Sequence, residues 1–215
     1  VTRDTQGNPA HRADVAHFNE AAATWDDNPA RRELTEAIAH AIKSAIPLQS
    51  HWRVLEYGCG TASLSLMLAT DVQEIVAADA SPGMVEQVRR KLERFPGIRL
   101  TPRVLDLTVN EAPPEQYDLV VMAMALHHVE DVPALLGRLS RLLVPGGWLV
   151  IADLAAEDGS FHAPMVVPHN GFEEAGLARE MGNAVHAAPA VLRPVHSFVK
   201  NGRSYTVNLW TVQKR

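Results

Sequence analysis

A chain of 215 residues has the length of one domain and can bury a sizeable core, so no second catalytic domain is expected. Hydrophobic residues at 47% and charged residues at 21% match a soluble globular protein and exclude a collagen-like repeat, a coiled coil and bulk disorder. A net charge of −5 supplies no global basic field for nucleic acid or an anionic membrane, and the single cysteine, Cys59, excludes an intramolecular disulfide or a cysteine-built zinc cluster.

The polar residues 1–12, with Gly7 and Pro9, are expected as a loose tail. Val15, Phe18, Ala22 and Trp25 recur at helical spacing and predict an amphipathic helix over 14–25, broken by Asn28-Pro29. A second helix over 31–46 carries Leu34, Ile38, Ala41 and Ile42 on its apolar side and ends at Pro47. Val54 and Leu55 lead from a strand into Glu56-Tyr57-Gly58-Cys59-Gly60-Thr61-Ala62, and a helical run follows over 63–69. Glycine at 58 and 60 lets the backbone take positive φ and lets a ligand lie against the main chain. A second strand over 74–80 ends at Asp79, and Ser81-Pro82 supplies the N-cap and N1 proline of a helix running to about 94.

A third strand over 98–105 delivers Asp106-Leu107, and 111–116 is a proline-bearing loop. The apolar stretch 117–122 is a fourth strand, followed by Ala-Met-Ala-Leu-His-His-Val-Glu-Asp over 123–131 and a helix over 131–143. Val144-Pro145-Gly146-Gly147 turns into a fifth strand over 148–153. Residues 155–170 form a loop of unusual length for a compact domain, with two histidines, and such loops are often functional. A helix over 172–185 precedes strands over 192–200 and 204–213, joined at Asn201-Gly202 by a strong hairpin signal.

Alternating strands and helices predict a parallel sheet with helices on both faces, whose ligands bind beyond the carboxyl ends of the strands. The Gly58 turn, Asp79, Asp106, the His127-His128 pair and Asp153 all fall at those ends, so one site is expected there. Asp79 lies about 20 residues past the first glycine, the position from which a strand-end acid accepts both hydroxyls of a ribose. Ser63 stands where a dinucleotide fingerprint has its third glycine, and Glu56 sets a carboxylate where a pyrophosphate would lie. A cationic or zwitterionic ligand fits that turn better, and a nicotinamide-dependent oxidoreductase fits it worse.

The pattern Glu56-x-Gly58-x-Gly60 closely resembles the first motif of the class I S-adenosylmethionine-dependent methyltransferases, with Ala62 where a third glycine is usual. Leu-His-His-Val-Glu-Asp over 126–131 and the Leu143-x-Pro145-Gly146-Gly147 turn resemble the same family, so the likeness spans about 53–154. Glu157-Asp158-Gly159-Ser160-Phe161-His162 and His169-Asn170-Gly171-Phe172 resemble a subset of its bacterial and archaeal members, with Asn170 where those often have a second histidine.

The resemblance implies a doubly wound, Rossmann-like α/β fold. Its seven-stranded sheet is mostly parallel and ends in an antiparallel C-terminal hairpin, with tail and lid helices in 1–50 and the catalytic α/β domain in 51–215. It implies S-adenosylmethionine as cofactor, held by Glu56, Tyr57, Gly58, Gly60, Asp79, Ala80, Met84, Asp106, Leu107 and Ala123. Asp106 would accept from the adenine amino group and the Leu107 backbone would donate to the ring, though Asp106 reads equally as a turn cap. Trp25, His127 and Asp153 are expected at a methyl acceptor, and His128, His162 and His169 are the candidate bases, histidine being the side chain that titrates near neutrality. Histidines in such loops also pack and cap, so both readings stand.

The histidine spacing matches no standard metal motif, so no metal is expected. No Asp/Asn-Pro-Pro-aromatic sequence follows the fourth strand and no Pro-Cys nucleophile exists, which disfavours nucleobase methylation. Arg89, Arg90, Lys91 and Arg94 read as a solvated helix face balanced by Glu86 and Glu93. A small-molecule acceptor is therefore expected. The alternatives are a methyltransferase acting on RNA or protein and a non-catalytic, cofactor-binding regulatory protein. No apolar run reaches membrane-spanning length and no signal-peptide core opens the sequence, so a cytoplasmic monomer or homodimer is expected.

Overall fold

The computed structural model describes residues 9–215. Helix α1 (Pro9–Ala21) passes through a 3₁₀ turn (Ala22–Asp27) to α2 (Pro29–Ala45). There follow β1 (Arg53–Tyr57), α3 (Ser63–Leu68), β2 (Glu74–Asp79), α4 (Pro82–Leu92), β3 (Leu100–Val104) and β4 (Tyr117–Ala123). A second 3₁₀ turn (Leu126–His128), α5 (Val132–Arg141), β5 (Leu143–Leu154), α6 (Glu174–Ala184), β6 (Val191–Lys200) and β7 (Arg203–Gln213) complete the chain. The seven strands form one sheet in the order β3-β2-β1-β4-β5-β7-β6. The first five are parallel, and β7 is antiparallel to both β5 and β6. This is the expected doubly wound α/β sheet with its C-terminal hairpin.

The central strands are buried on both faces, and their alternate residues serve two different cores. Leu55, Val120, Met122, Leu149 and Ile151 meet Leu135, Leu136 and Leu139 of α5 and Leu177 and Met181 of α6. Val54, Leu119, Val121, Val150 and Ala152 meet Ile38 and Ile42 of α2 and Leu64 and Leu68 of α3. Helix starts follow side-chain capping: Asn28, Ser81 and Asp131 accept from Ala30, Met84 and Ala134 backbone amides, and a proline occupies the first turn in each case.

Several boundaries differ from expectation for visible reasons. Residues 1–8 lie outside the described part, whereas 9–12, expected as tail, begin α1. That helix ends at Ala21 instead of continuing to Trp25; it buries none of its residues, and Asp26 in the tighter turn is drawn to Thr61 and Lys91. The Pro145-Gly146-Gly147 turn falls within β5: Leu143 pairs with Tyr117 and Trp148 with Leu119, and the intervening residues break the register. The long loop after β5 is pinned at its base, where Ala156 N donates to Phe172 O, Phe172 N to Leu154 O and Glu157 N to Asn170 O. Among the described residues no helix is long and apolar enough to cross a membrane.

Candidate active site

At the carboxyl end of β1 the chain turns through Gly58 (φ +72°), Gly60 (φ +53°) and Ala62 (φ 58°) before α3 begins. Gly58 and Cys59 amides donate to Ala78 O at 2.8 and 3.0 Å, which ties the turn to β2. A Cβ at Gly58 would lie 2.7 Å from Ala125 Cβ, so both conformation and space require glycine there. Asp79 accepts from Gly60 N and Ser81 N, each at 2.8 Å, one on each carboxylate oxygen. Burial raises its carboxyl above the ordinary value against those two amides. Glu56, behind the turn, is fully buried; burial pushes it up to about 7, opposed by the hydroxyl that Ser65 donates to it.

The N-terminal helices cover this turn through single polar contacts to the strand-end loops. Asn19 Oδ1 accepts from Ser81 Oγ at 2.7 Å and Gly83 N at 2.8 Å. Asp26 accepts from Thr61 Oγ1 at 2.7 Å and pairs with Lys91 at 2.7 Å, while Lys91 Nζ also donates to Thr61 O. Trp25 lies over Gly60, its own ring covered by the Arg31 guanidinium at 3.7 Å. The space enclosed between helices and sheet measures about 1100 Å³.

Of the residues expected at a cofactor, Glu56, Tyr57, Gly58, Gly60, Asp79, Ala80, Met84 and Ala123 line this cavity; Asp106 and Leu107 do not. Asp106 is engaged elsewhere: Oδ2 lies 2.6 Å from His11 Nε2, and Oδ1 accepts from Thr108 N and Oγ1 at 2.9 and 2.6 Å. Burial alone would raise its carboxyl, and these bonds outweigh burial and hold it below the ordinary value. The turn-cap reading of Asp106 is the one this geometry matches. The amide of Leu107, expected to face a ring, donates to the buried Tyr57 Oη at 2.9 Å. The expectation of a free donor there is corrected, because a buried phenol oxygen takes it.

A second group of expected residues meets at the ends of β4 and β5. The 3₁₀ turn carries His127 and His128, and Asp153, completely buried, lies beneath it. Asp153 accepts from Leu126 N at 2.9 Å, His127 N at 3.3 Å, His127 Nδ1 at 2.6 Å and Leu154 N at 2.8 Å. Burial would raise this carboxyl; the His127 ring together with the Leu154 and His127 amides outweighs burial and holds it below the ordinary value. Expected as an acceptor contact, Asp153 lies outside the cavity lining and orients His127 from behind.

The His127 ring centroid stands 4.3 Å from that of His128 and 4.6 Å from that of His162, which the long loop brings over. Burial, with His127 and His128 adding to it, lowers His162 to about 3. Trp25, His127, His128 and His162 line the cavity, whereas His169 does not. Its amide donates to His127 O at 3.1 Å and its ring packs on Phe172, so in this structure His169 fastens the loop to the histidine turn. Sequence reasoning missed His11, Asp14, Asn19, Asp26 and Lys91. Their partners lie tens of residues away and leave no periodic signal; the charge of Lys91 was visible, but its direction was not.

Comparison with known proteins accords with this geometry. The family of methyltransferase domains matches over residues 30–190. An uncharacterized methyltransferase of Schizosaccharomyces pombe is 27% identical over 221 residues, covering 80% of this chain and 78% of the relative. A ubiquinone biosynthesis O-methyltransferase of Cereibacter sphaeroides is 31% identical over 170 residues, covering 72% and 68%. The crystal structure of a SAM-dependent methyltransferase from Aquifex aeolicus superposes with a TM-score of 0.63 at 20% identity, covering 90% of this chain and 97% of that one, which shows the shared fold. The chain belongs to the methyltransferase-domain family and is a class I S-adenosylmethionine-dependent methyltransferase.

Proposed function

We propose that the chain methylates a small molecule whose attacking atom lies against His127, His128 and His162. The observation that carries this reading is that the glycine turn and the three histidines open on one cavity, closed over by the N-terminal helices. Its 1100 Å³ is slightly above the upper end of small-molecule sites, about 300–1,000 Å³, which suits a nucleoside cofactor with a compact acceptor beside it.

When bound, the cofactor supplies an electrophilic methyl group on a sulfonium. Asp79 keeps carboxylate lone pairs beyond its two amide bonds for the ribose hydroxyls. Glu56, Gly58 and Gly60 shape the turn beneath the cationic tail, with Tyr57, Ala80, Met84 and Ala123 around it. Asp106 and Leu107 act on the adenine end indirectly, through Thr108 and Tyr57. Trp25 and the helices that carry it hold the acceptor in place. Alignment of donor and acceptor at about 3 Å lowers the barrier by up to about 7–11 kcal/mol, so positioning is the main task. A hydroxyl or thiol acceptor must also lose its proton, and the histidines stand where that proton leaves.

The test is transfer of isotopically labelled methyl to pools of small phenols, thiols and amines, and in parallel to RNA and to protein. Label should enter a small-molecule pool, and His128→Ala should reduce that transfer at least about 100-fold, the scale of acid–base assistance, while retaining S-adenosylhomocysteine affinity. Label entering only RNA or protein contradicts the reading.

A further inference from the structure

We propose that His127, His128 and His162 bind one divalent transition-metal ion, zinc or a chemically similar ion, at the acceptor side of the cavity. One ligating atom from each of the three lies within 4.8 Å of the others. No hydrogen bond joins the three rings to one another, and Nδ1 of His162 is buried without a partner. Buried polar atoms in folded proteins nearly always have one, so a nitrogen left open here points to a missing ligand.

The surroundings of the rings match those of metal-binding histidines. Such histidines usually hand their second nitrogen to a carboxylate, which sets the tautomer and strengthens the ligand. Asp153 takes His127 Nδ1 at 2.6 Å, which leaves Nε2 as the ligating atom. Asp14, on α1, lies 3.1 Å from His128 Nδ1, off the line of a hydrogen bond but close enough to turn into one. Three imidazoles from two elements give a site with a fourth position open, the arrangement of catalytic rather than structural zinc sites.

Metal–nitrogen bonds of about 2.0–2.1 Å in a tetrahedron place the nitrogens about 3.4 Å apart, so the rings close by about 1.4 Å at most on binding. His162 lies on a loop and can supply that movement. The histidines sit at 127, 128 and 162, a spacing that no standard motif contains, which is why the sequence suggested no metal.

This inference rests on the acceptor site proposed above. At the open position the ion holds the acceptor oxygen or sulfur and lowers its pKa, as it does for bound water. The O–H or S–H bond breaks and its proton passes to water, so the histidines assist deprotonation through the ion they hold and do not take the proton themselves. The freed electron pair then forms the bond to the methyl carbon as the carbon–sulfur bond of the sulfonium breaks, leaving a thioether. The ion keeps its charge throughout.

The experiment uses the full chain, stripped with EDTA and dialysed. Zinc is titrated calorimetrically and Co²⁺ by visible absorbance, with S-adenosylhomocysteine titrated into the same preparation. The expected result is one equivalent of Zn²⁺ at micromolar affinity or tighter, a tetrahedral Co²⁺ spectrum, and at least about 100-fold weaker binding in His162→Ala and in His128→Gln. Those variants are on separate elements, and each is checked for an unchanged S-adenosylhomocysteine affinity. Failure of stoichiometric zinc binding overturns the metal, as does zinc binding that neither substitution weakens. Loss of zinc with S-adenosylhomocysteine binding intact leaves the methyltransferase reading standing, whereas zinc binding without the nucleoside upholds the metal and removes that reading.

Discussion

Replacing Asp153 by asparagine keeps the shape of the side chain and removes its charge, and the structure lets the cost be worked out. Four N–H groups converge on the carboxylate, two on each oxygen: Leu126 and His127 amides on one, His127 Nδ1 and the Leu154 amide on the other. Asparagine has one acceptor oxygen, so whichever way its amide turns, two of the four buried donors lose their partner. At about 1–3 kcal/mol for each unsatisfied donor, the loss is about 2–6 kcal/mol. A chain of this length loses about 2–4 °C of melting temperature per kcal/mol, so Asp153→Asn should melt about 4–24 °C lower.

The effect carries a pH signature. The folded-state pKa of Asp153 lies below the ordinary value, so its contribution is present above the unfolded value near 4 and disappears as pH falls through the folded value. Wild-type stability should therefore drop below about pH 4, and the gap to the variant should close there. Thermal melts from pH 3 to pH 8, with the exposed Glu180→Gln on α6 as a control expected to leave melting unchanged, measure both effects. A variant that melts with the wild type at pH 7 would refute the assignment of Asp153 as the buried support of His127.

Other outcomes follow from the same geometry. Glu56, raised to about 7 by burial, holds its proton in the folded state between about pH 4.5 and 7, so stability should fall as pH rises through that window; Glu56→Gln should flatten the slope, and an unchanged slope would assign it to another group. Lys91→Met removes the contacts to Asp26, Thr61 and Ser63 that latch the N-terminal segment. Limited proteolysis within 22–28 should then quicken while the melting temperature stays within a few degrees, and an unaltered cleavage rate would show that the latch lies elsewhere. Gly58→Ala adds a Cβ 2.7 Å from Ala125 at φ +72°. It should cost about 2–5 kcal/mol in a urea titration, from left-handed strain plus overpacking, and a neutral result would mean the turn relaxes freely.

The sheet was largely legible because its causes are local and repeated. Val54-Leu55, the run 119–122 and the run 148–152 are unbroken apolar stretches, which only a doubly covered strand buries, and Asn201-Gly202 names its own turn. The glycine turn and Asp79 were legible because spacing and conformation constrain each other. What escaped depends on distance in the chain. His11 reaches Asp106 across 95 residues and Asp26 reaches Thr61 across 35, each through one polar side chain with no period to betray it. Asp153 looked like a cavity ligand because it ends a strand. Its burial comes from the histidine turn folding over β5, and the turn type of 126–128 was not readable from the residues. The amide of Leu107 was assigned outward because nothing local says that Tyr57 Oη is waiting beneath it.

The most direct test of the account is calorimetric titration of S-adenosylhomocysteine into the wild-type chain and into Asp79→Ala, each first shown to melt cooperatively. Hydrogen bonds to a charged group contribute about 1.5–3 kcal/mol each, and two ribose hydroxyls share this carboxylate in the proposed site. The wild type should bind at micromolar affinity with one site, and the variant at least about 100-fold more weakly. Equal affinity in the two proteins, or no binding to either, would contradict a nucleoside held between the Gly58 turn and Asp79.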